Sequence, residues 1–131
     1  MLSKGLKDEE NKQMDKLFND LVEVEFLPDY WEKQQRQEVD ERLKDALGFG
    51  LADVMNLSSE ELLLNLKEQH FSSENYEQFG DLLFRISAFE AEKEEMILIR
   101  HSIAIYEFVQ LKSGTFSFSL NQKLKDAREA L

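Results

Sequence analysis

The chain is 131 residues long, 42% hydrophobic and 33% charged, which fits one globular domain large enough to bury its own core. It contains no cysteine, which excludes disulfides, zinc–thiolate sites and thiol nucleophiles. A formal charge of −11 spread along the chain predicts no binding to nucleic acid or to anionic membranes, because both carry charge of the same sign. The polar start lacks a secretory leader and no apolar run is long enough to span a bilayer, so we expect a cytoplasmic protein.

The scarcity of residues that interrupt helices predicts the fold class. The chain has 1 Pro and 5 Gly, which favours helices over a turn-rich β fold. We predict about six helices with short connections, packed as antiparallel hairpins in an all-α bundle or a short α-solenoid. They form a single domain over residues 1–131, in which 1–57 is an N-terminal helical hairpin plus a loop and 58–131 is a second helical part.

The first two predicted helices make up the N-terminal hairpin. Residues 1–7 are expected to fray, and the first helix begins at Asp8. Its apolar residues follow the i, i+3, i+4, i+7, i+8 spacing of one helix face, at Met14, Leu17, Phe18, Leu21 and Val22. Pro28 suits the first turn of the second helix, which covers about 29–47. Gly48 is expected to end that helix in the left-handed conformation.

The connection at residues 48–57 leaves two interpretations open. Its sequence, GFGLADVMNL, combines flexible glycines with apolar side chains and predicts either a hinge-like loop or a short helix. Such a stretch could serve a ligand, but a connection tucked against the core is the favoured interpretation. Directly after it, Ser58 and Glu61 have the spacing of a capping box and predict a third helix over about 59–69.

Two further helices are predicted on either side of the most apolar part of the chain. Ser72 or Ser73 is expected to cap a fourth helix over about 74–89. A last helix is expected to begin at Ser117 or Ser119. Both predictions rest on serine side chains that can accept a hydrogen bond from the first turn of the helix.

The stretch 95–112 is the most apolar in the chain and is predicted to be the central helix. Between Met96 and Leu111, only Arg100 and Glu107 carry charge. They stand seven residues apart, and Lys93 stands seven before Arg100, so these side chains fall on one narrow stripe. We therefore expect water to reach this helix along that stripe alone, with the other helices, the fourth above all, packed around the rest. Gly114 is expected to end it.

The fourth and central helices carry a recognisable pattern. The W-x2-L-G-x2-Y spacing of helix A in tetratricopeptide repeats is matched, with other large residues, by Tyr76, Phe79, Gly80 and Leu83. The A-x3-F of helix B resembles Ala104-x3-Phe108. Residues 45–131 as a whole resemble small uncharacterised bacterial proteins with tetratricopeptide-like folds, so 58–131 is interpreted as a tetratricopeptide-like helical part. The resemblance implies a helical groove that binds a protein or peptide, and it transfers no catalytic residue.

The residue patterns of common catalytic and metal sites are missing from the sequence. It has no Gly-x-Ser-x-Gly motif, no His-Glu-x-x-His, no phosphate-binding glycine loop, and no Glu-x-x-His motif of the kind that binds metals in helical bundles. His101 is expected to be a core histidine of the central helix, and His70 to interact with a helix C-terminus. We therefore predict a protein that is not an enzyme and uses no cofactor and no metal.

Aromatic residues are the candidates for protein interaction. Tyr30 and Trp31 stand on the otherwise polar second helix, where they could anchor a partner, although core packing is the favoured explanation for Trp31. Phe116 and Phe118 carry the same two alternatives. Their stretch, TFSFS, alternates like a strand, but no second strand is predicted, so it is interpreted as a linker whose phenylalanines pack down.

These observations lead to one functional hypothesis with alternatives. The first is an intracellular protein-interaction or scaffold module that binds a protein or peptide. A homodimer is expected as well, because a short tetratricopeptide-like array leaves apolar edges uncovered. The alternative is an acidic inhibitor or antitoxin-like protein that masks a basic partner through its charge of −11. An enzyme or metal protein ranks third.

Overall fold

The computed structural model describes the backbone of residues 2–114 and 117–131, and the side chains of residues 12–114 and 117–131. Within these ranges the regular structure is entirely helical, with seven helices and no strand. The second helix is continuous but has a π-helical middle section. The helices are α1 (Leu2–Glu23), α2 (Pro28–Tyr30, Trp31–Gln35 and Arg36–Leu47), α3 (Leu51–Asn56), α4 (Ser59–Lys67), α5 (Ser73–Ser87), α6 (Glu92–Ser113) and α7 (Phe118–Ala130).

The predicted all-α class is confirmed, and two elements differ from the prediction. α1 begins at Leu2 rather than at Asp8. The only weak helix former in that added stretch is Gly5, which costs about 1 kcal/mol in a helix interior and does not stop it. In the connection at 48–57, residues 51–56 form the short helix α3. Of the two structures predicted for this connection, a hinge-like loop or a short helix, the short helix is therefore the one that forms.

Most helix ends follow the predicted local signals. The Ser58 hydroxyl accepts a hydrogen bond from the Glu61 amide at 3.1 Å, and the Glu61 carboxylate accepts one from the Ser58 amide at 3.2 Å, so the predicted capping box is confirmed. Ser72 caps α5 in the same reciprocal manner. Gly48, with φ +84°, and Gly114, with φ +64°, end α2 and α6 in the left-handed region, as predicted.

Two helical hairpins form the body of the fold. α1 packs against the C-terminal part of α2, and α5 packs against α6 over the most extensive interface in the described chain. The hairpins lie side by side through α1 and α5, which run parallel. The Asn75 side chain donates to Asp15 at 2.9 Å, and further along both helices Gln78 donates to Asn19 at 3.3 Å.

α7 packs antiparallel to α6 and therefore parallel to α5. The Gln110 amide of α6 donates to Asn121 near the start of α7 at 2.6 Å. Near the end of α7, Arg128 pairs with Glu107, which lies earlier on α6, at 3.0 Å. The C-terminal ends of α5 and α7 consequently lie at the same end of the bundle as the start of α6.

Aromatic rings join the two hairpins in the core. Phe18 of α1 meets Phe71 and Phe79 edge to face, with centroids 5.5 and 5.8 Å apart. Tyr76 of α5 continues this cluster to Phe108 of α6, at 5.0 Å. Edge-to-face pairs stabilise a core by about 0.5–1.5 kcal/mol each beyond the area that they bury. The cluster therefore fixes α1 and α6 on the two sides of α5.

The exposed side of α6 is wider than predicted. Lys93, Arg100 and Glu107 are all exposed, which confirms the predicted stripe. Leu111 is nevertheless 85% exposed, and several apolar neighbours are only partly buried: Met96, Ile97, Ile103 and Ala104. The prediction that other helices cover α6 everywhere outside the stripe was wrong. The neighbouring α4 has 9 residues and is too short to cover a helix of 22 residues.

Candidate functional site

Trp31 lies in the core, not on the surface. Its side chain is 1% exposed, and its indole N–H donates to Glu90 Oε1 at 3.0 Å. The ring packs edge to face on Phe26 and lies 5.9 Å from the ring of Phe89. Trp31 is therefore not an anchor for a partner, because almost none of the indole surface is exposed. The alternative, that Trp31 packs in the core, is the correct one.

The remaining aromatic candidates do not form one patch. Tyr30 is 53% exposed at the start of α2, next to the Trp31–Glu90 contact at the α5–α6 connection. Phe118 is 83% exposed at the start of α7, which follows the far end of α6. Phe118 therefore does not pack down as predicted, and about 30 Å of α6 separates the two rings. Phe116 lies outside the described residues.

A groove with a volume of about 610 Å³ lies between α5, α6 and α7, which we call the α5–α6–α7 groove. Its lining consists of Asp81, Phe84, Arg85, Ser87, Ala88, Glu95, Ile99, Tyr106, Lys123, Asp126 and Ala130. Ala88, directly after α5, and Ala130 of α7 both belong to this lining, and their short side chains leave one end of the groove open. The volume falls in the range of about 300–1,000 Å³ that is usual for ligand sites.

A polar network closes the other end of the groove. The Tyr106 hydroxyl donates to Asp81 Oδ1 at 2.6 Å. The Lys123 ammonium lies 2.9 Å from Asp81 Oδ2 and 3.2 Å from Glu77 Oε2, so one cation from α7 is shared by two carboxylates of α5. This network ties α5, α6 and α7 together at that end of the groove.

The network holds its ionisable groups in fixed protonation states. Burial raises the pKa of Tyr106, and the hydrogen bond to Asp81 raises it further, so the phenol stays protonated. Burial acts to lower the pKa of Lys123, but the hydrogen bond and charge of Asp81 and the charge of Glu77 outweigh it. The pKa of Lys123 is therefore raised, and its ammonium stays charged.

Arg85 lines the groove with its stem but directs its charge away from it. Its guanidinium donates to the backbone carbonyls of Leu21, at 3.4 Å, and Val22, at 3.1 Å, and also to that of Val24. It also lies over the ring of Phe26, 4.7 Å from the centroid. The cation thus satisfies carbonyls at the C-terminal end of α1, where the helix dipole favours positive charge.

Carboxylates remain in the groove once these cations are assigned. Asp126 accepts a hydrogen bond from Gln122 on its own helix at 2.9 Å and has no ion pair within the described ranges. Among the described residues, the Glu95 side chain has neither a hydrogen-bond partner nor an ion pair; only its backbone amide is bonded, to the Ala91 carbonyl at 2.8 Å. Because Lys123 is already balanced by two carboxylates, the local charge of the groove is negative.

His101 is buried and occupied at both ring nitrogens. Its Nε2 lies 2.8 Å from the Val54 carbonyl, which can only accept, so Nε2 carries the proton. Its Nδ1 then accepts from the Ser59 hydroxyl at 2.8 Å. Burial lowers the pKa of His101, which keeps the imidazole neutral. The ring links α3 and α4 to α6, and neither His101 nor Ser59 lines the groove.

The described residues offer few other chemical sites. In residues 12–114 and 117–131, the His, Asp and Glu side chains form no group of three or more arranged to hold a metal ion. None of the helices in the described part of the chain combines the length and the apolarity that crossing a membrane requires.

Sequence reasoning did not single out the residues of the groove. Glu77, Asp81 and Arg85 stand four residues apart on α5, and this row could have indicated a polar helix face. Its partner Lys123 lies 42 residues beyond Asp81, and nothing in the sequence pattern indicates that α7 returns to α5. The groove exists only through that packing.

A scan against protein-family models, a search of curated proteins and a search of solved structures all found no match to this chain. The resemblance to tetratricopeptide-like proteins therefore stays a prediction. The structure by itself assigns the chain to the all-α helical bundles.

Proposed function

We propose that this protein is a non-enzymatic protein-interaction or scaffold module that works inside the cell and docks its partner in the α5–α6–α7 groove. The observation that carries the proposal is the groove itself, a cavity of about 610 Å³ between helices that are tied together by Asp81, Tyr106 and Lys123. Amphipathic segments of partner proteins commonly bind in grooves of this kind. A tetratricopeptide-like arrangement of the hairpins belongs to the same proposal.

The ionisable groups of the described site support binding rather than catalysis. Catalytic acids and bases need a pKa near the working pH. Tyr106 is held protonated and Lys123 is held charged, so neither is prepared to accept a proton. His101 is neutral, but a backbone carbonyl rather than a carboxylate orients it, and it lies away from the groove.

The proposal includes self-association through the exposed side of α6. Leu111 is 85% exposed, and Leu64 on the neighbouring α4 is 63% exposed. Exposed apolar side chains of this size are often covered in oligomers. The mass of the wild type and of Leu111→Glu in solution tests this part of the proposal. A wild-type dimer that the substitution dissociates supports it, and a wild type that stays monomeric at high concentration contradicts it.

A peptide selection tests the docking surface directly. Random peptides long enough for about four helical turns would be displayed and selected on the wild-type protein. The selected peptides would then be measured on Ala88→Trp, which fills the open end of the groove, and on Ala52→Trp, a matched change at another exposed alanine. We expect binding to be lost on Ala88→Trp and retained on Ala52→Trp. Equal binding to both variants would show that the groove is not the docking surface.

A further inference from the structure

We propose that the α5–α6–α7 groove binds a basic amphipathic helix of a partner protein, with its apolar side chains on the groove floor and a Lys or Arg side chain directed to Glu95. This inference rests on the proposed function and specifies the chemistry of the partner. It is carried by the length of the groove, by the apolar character of its floor, and by the sign of the charge at its open end.

The length of the groove matches a short helix. Its lining extends from Asp81 on α5 to Ala88, directly after that helix, and from Lys123 to Ala130 on α7. Seven residues of helix rise about 10 Å, so the groove accepts about two turns of an occupying helix. A helix that lies in such a groove contacts it through positions i, i+3, i+4 and i+7. The occupant is therefore expected to carry apolar residues at those positions.

The floor of the groove is apolar at the level where those side chains would lie. Phe84 of α5 is partly exposed there, beside Ile99 of α6. The two alanines of the rim, Ala88 and Ala130, add only methyl groups, so they leave space for larger side chains from the occupant. Burial of such side chains contributes about 25 cal/mol for each Å² removed from water.

The charge of the groove selects a cationic occupant. The guanidinium of Arg85 is directed to the end of α1, and the ammonium of Lys123 is balanced by Asp81 and Glu77. Glu95 and Asp126 then remain as carboxylates without an ion pair within the described ranges. An acidic segment would meet repulsion here, whereas a lysine or arginine would complete an ion pair with Glu95.

Two of the helix ends near Glu95 contribute to this negative potential. α5 ends at Ser87 and α7 ends at Ala130, and both residues line the groove together with Glu95. A helix C-terminus carries about half a negative charge on its unpaired carbonyls. α5 and α7 thus direct their negative ends to the place where Glu95 lies, while the start of α6, which carries the opposite partial charge, lies at the same end and offsets part of this effect.

Synthetic peptides provide the probe for this inference. The first is a fluorescein-labelled peptide of Leu and Lys with Leu at the i, i+3, i+4, i+7 positions. The second has the same composition with Leu and Lys in alternation, which keeps the charge but removes the helical apolar face. The third keeps the Leu pattern and has Gln in place of Lys. Fluorescence anisotropy would give the Kd of each peptide at physiological ionic strength.

Two charge-reversal variants locate the binding. Glu95→Lys changes the groove, and Glu38→Lys makes the same change of net charge at an exposed position on α2. We expect the patterned Leu/Lys peptide to bind about tenfold tighter than the other two peptides, a difference of about 1.4 kcal/mol. We expect Glu95→Lys to weaken it roughly five- to tenfold and Glu38→Lys to change it less than about twofold.

The outcomes separate the inference from the proposed function. If the alternating peptide binds as tightly as the patterned Leu/Lys peptide, or if Glu95→Lys and Glu38→Lys weaken binding equally, only the overall charge is recognised. Either result would contradict the inference. If the Gln peptide binds as tightly as the Lys peptide and Ala88→Trp abolishes both, the groove binds peptides without a basic preference, so the proposed function stands and the inference falls. If Ala88→Trp leaves the binding of every peptide unchanged, both fall.

Discussion

A Cβ atom placed on Gly80 would lie 2.8 Å from Cε1 of Tyr106, so the close approach of α5 to α6 requires a glycine at this position. The Tyr106 ring is 1% exposed and its hydroxyl is bonded to Asp81, which leaves the ring little room to move. On the same side of α6, Ser102 Oγ lies 3.1 Å from the Gly80 carbonyl. Because Tyr106 also lines the α5–α6–α7 groove, Gly80 helps to set the shape of the candidate site.

Gly80→Ala is expected to destabilise the protein although alanine favours helices. The gain in helix propensity is about 1 kcal/mol, whereas overpacking against a buried ring costs about 1–3 kcal/mol. Chemical denaturation of the wild type and the variant would measure the difference in the free energy of unfolding. Tyr106→Leu provides the control background, because it removes the ring that the new methyl group meets. In that background Gly80→Ala should become neutral or stabilising; the same loss in both backgrounds would contradict the steric explanation.

Substitutions along α6 test which of its sides is buried. Ile105 is 0% exposed, Ile103 is partly buried and Arg100 is exposed. An aspartate at 105 would bury an unpaired carboxylate, so Ile105→Asp is expected to prevent folding at room temperature. Ile103→Asp should lower Tm but still fold, and Arg100→Ala should be nearly neutral. Circular dichroism melts of the three variants check this order, and an Ile103→Asp variant less stable than Ile105→Asp would contradict it.

Glu90 is expected to stabilise the fold by accepting a hydrogen bond from the indole of Trp31, the single tryptophan of the chain. Its side chain is 7% exposed, accepts from the Trp31 indole at 3.0 Å and pairs with Arg36 at 3.0 Å. Glu90→Ala should cost about 1–3 kcal/mol, because the buried indole N–H loses its acceptor. Glu90→Gln keeps an acceptor and should cost less. Denaturation followed by the fluorescence of Trp31 measures both, with Glu92→Ala, at an exposed position, as the control. Equal losses for the Ala and Gln variants would rule out the hydrogen bond as the cause.

The stability of the protein is expected to fall in mild acid because of His101. Burial lowers its pKa below the ordinary value of 6.5, so the unfolded chain binds a proton that the folded protein does not. The contribution of His101 is therefore complete above pH 6.5 and is lost as the pH falls from that value towards the lowered pKa of the folded state. Melting curves between about pH 7.5 and about pH 5 would follow this loss.

Two variants isolate the histidine in that experiment. His101→Gln keeps a donor for Val54 and an acceptor for Ser59 but does not titrate, so its stability should change less with pH than that of the wild type. Ser59→Ala removes one hydrogen bond and leaves the ring buried, so it should keep the wild-type pH dependence at a lower overall stability. A pH dependence that survives in His101→Gln would assign the effect to other groups.

The sequence by itself predicted the helices and most of their ends. Ser58 and Glu61 formed the expected capping box, and Gly48 and Gly114 ended their helices, because these signals act between residues at most four apart in the chain. The exposed position of Arg100 followed in the same way, from the seven-residue spacing of charges on one helix. Short-range hydrogen bonds and backbone preferences decide such features before any tertiary contact forms.

Only the tertiary structure decided which aromatic side chains are buried and where a groove remains. Trp31 packs in the core against Phe26 and Phe89, and Glu90, 59 residues away, supplies the acceptor for its N–H. Phe118 is 83% exposed at the start of α7 although its side chain is strongly apolar. The groove likewise depends on how α7 returns to α5. A sequence pattern shows which side of a helix is apolar, but whether that side is covered depends on the lengths and positions of neighbouring helices.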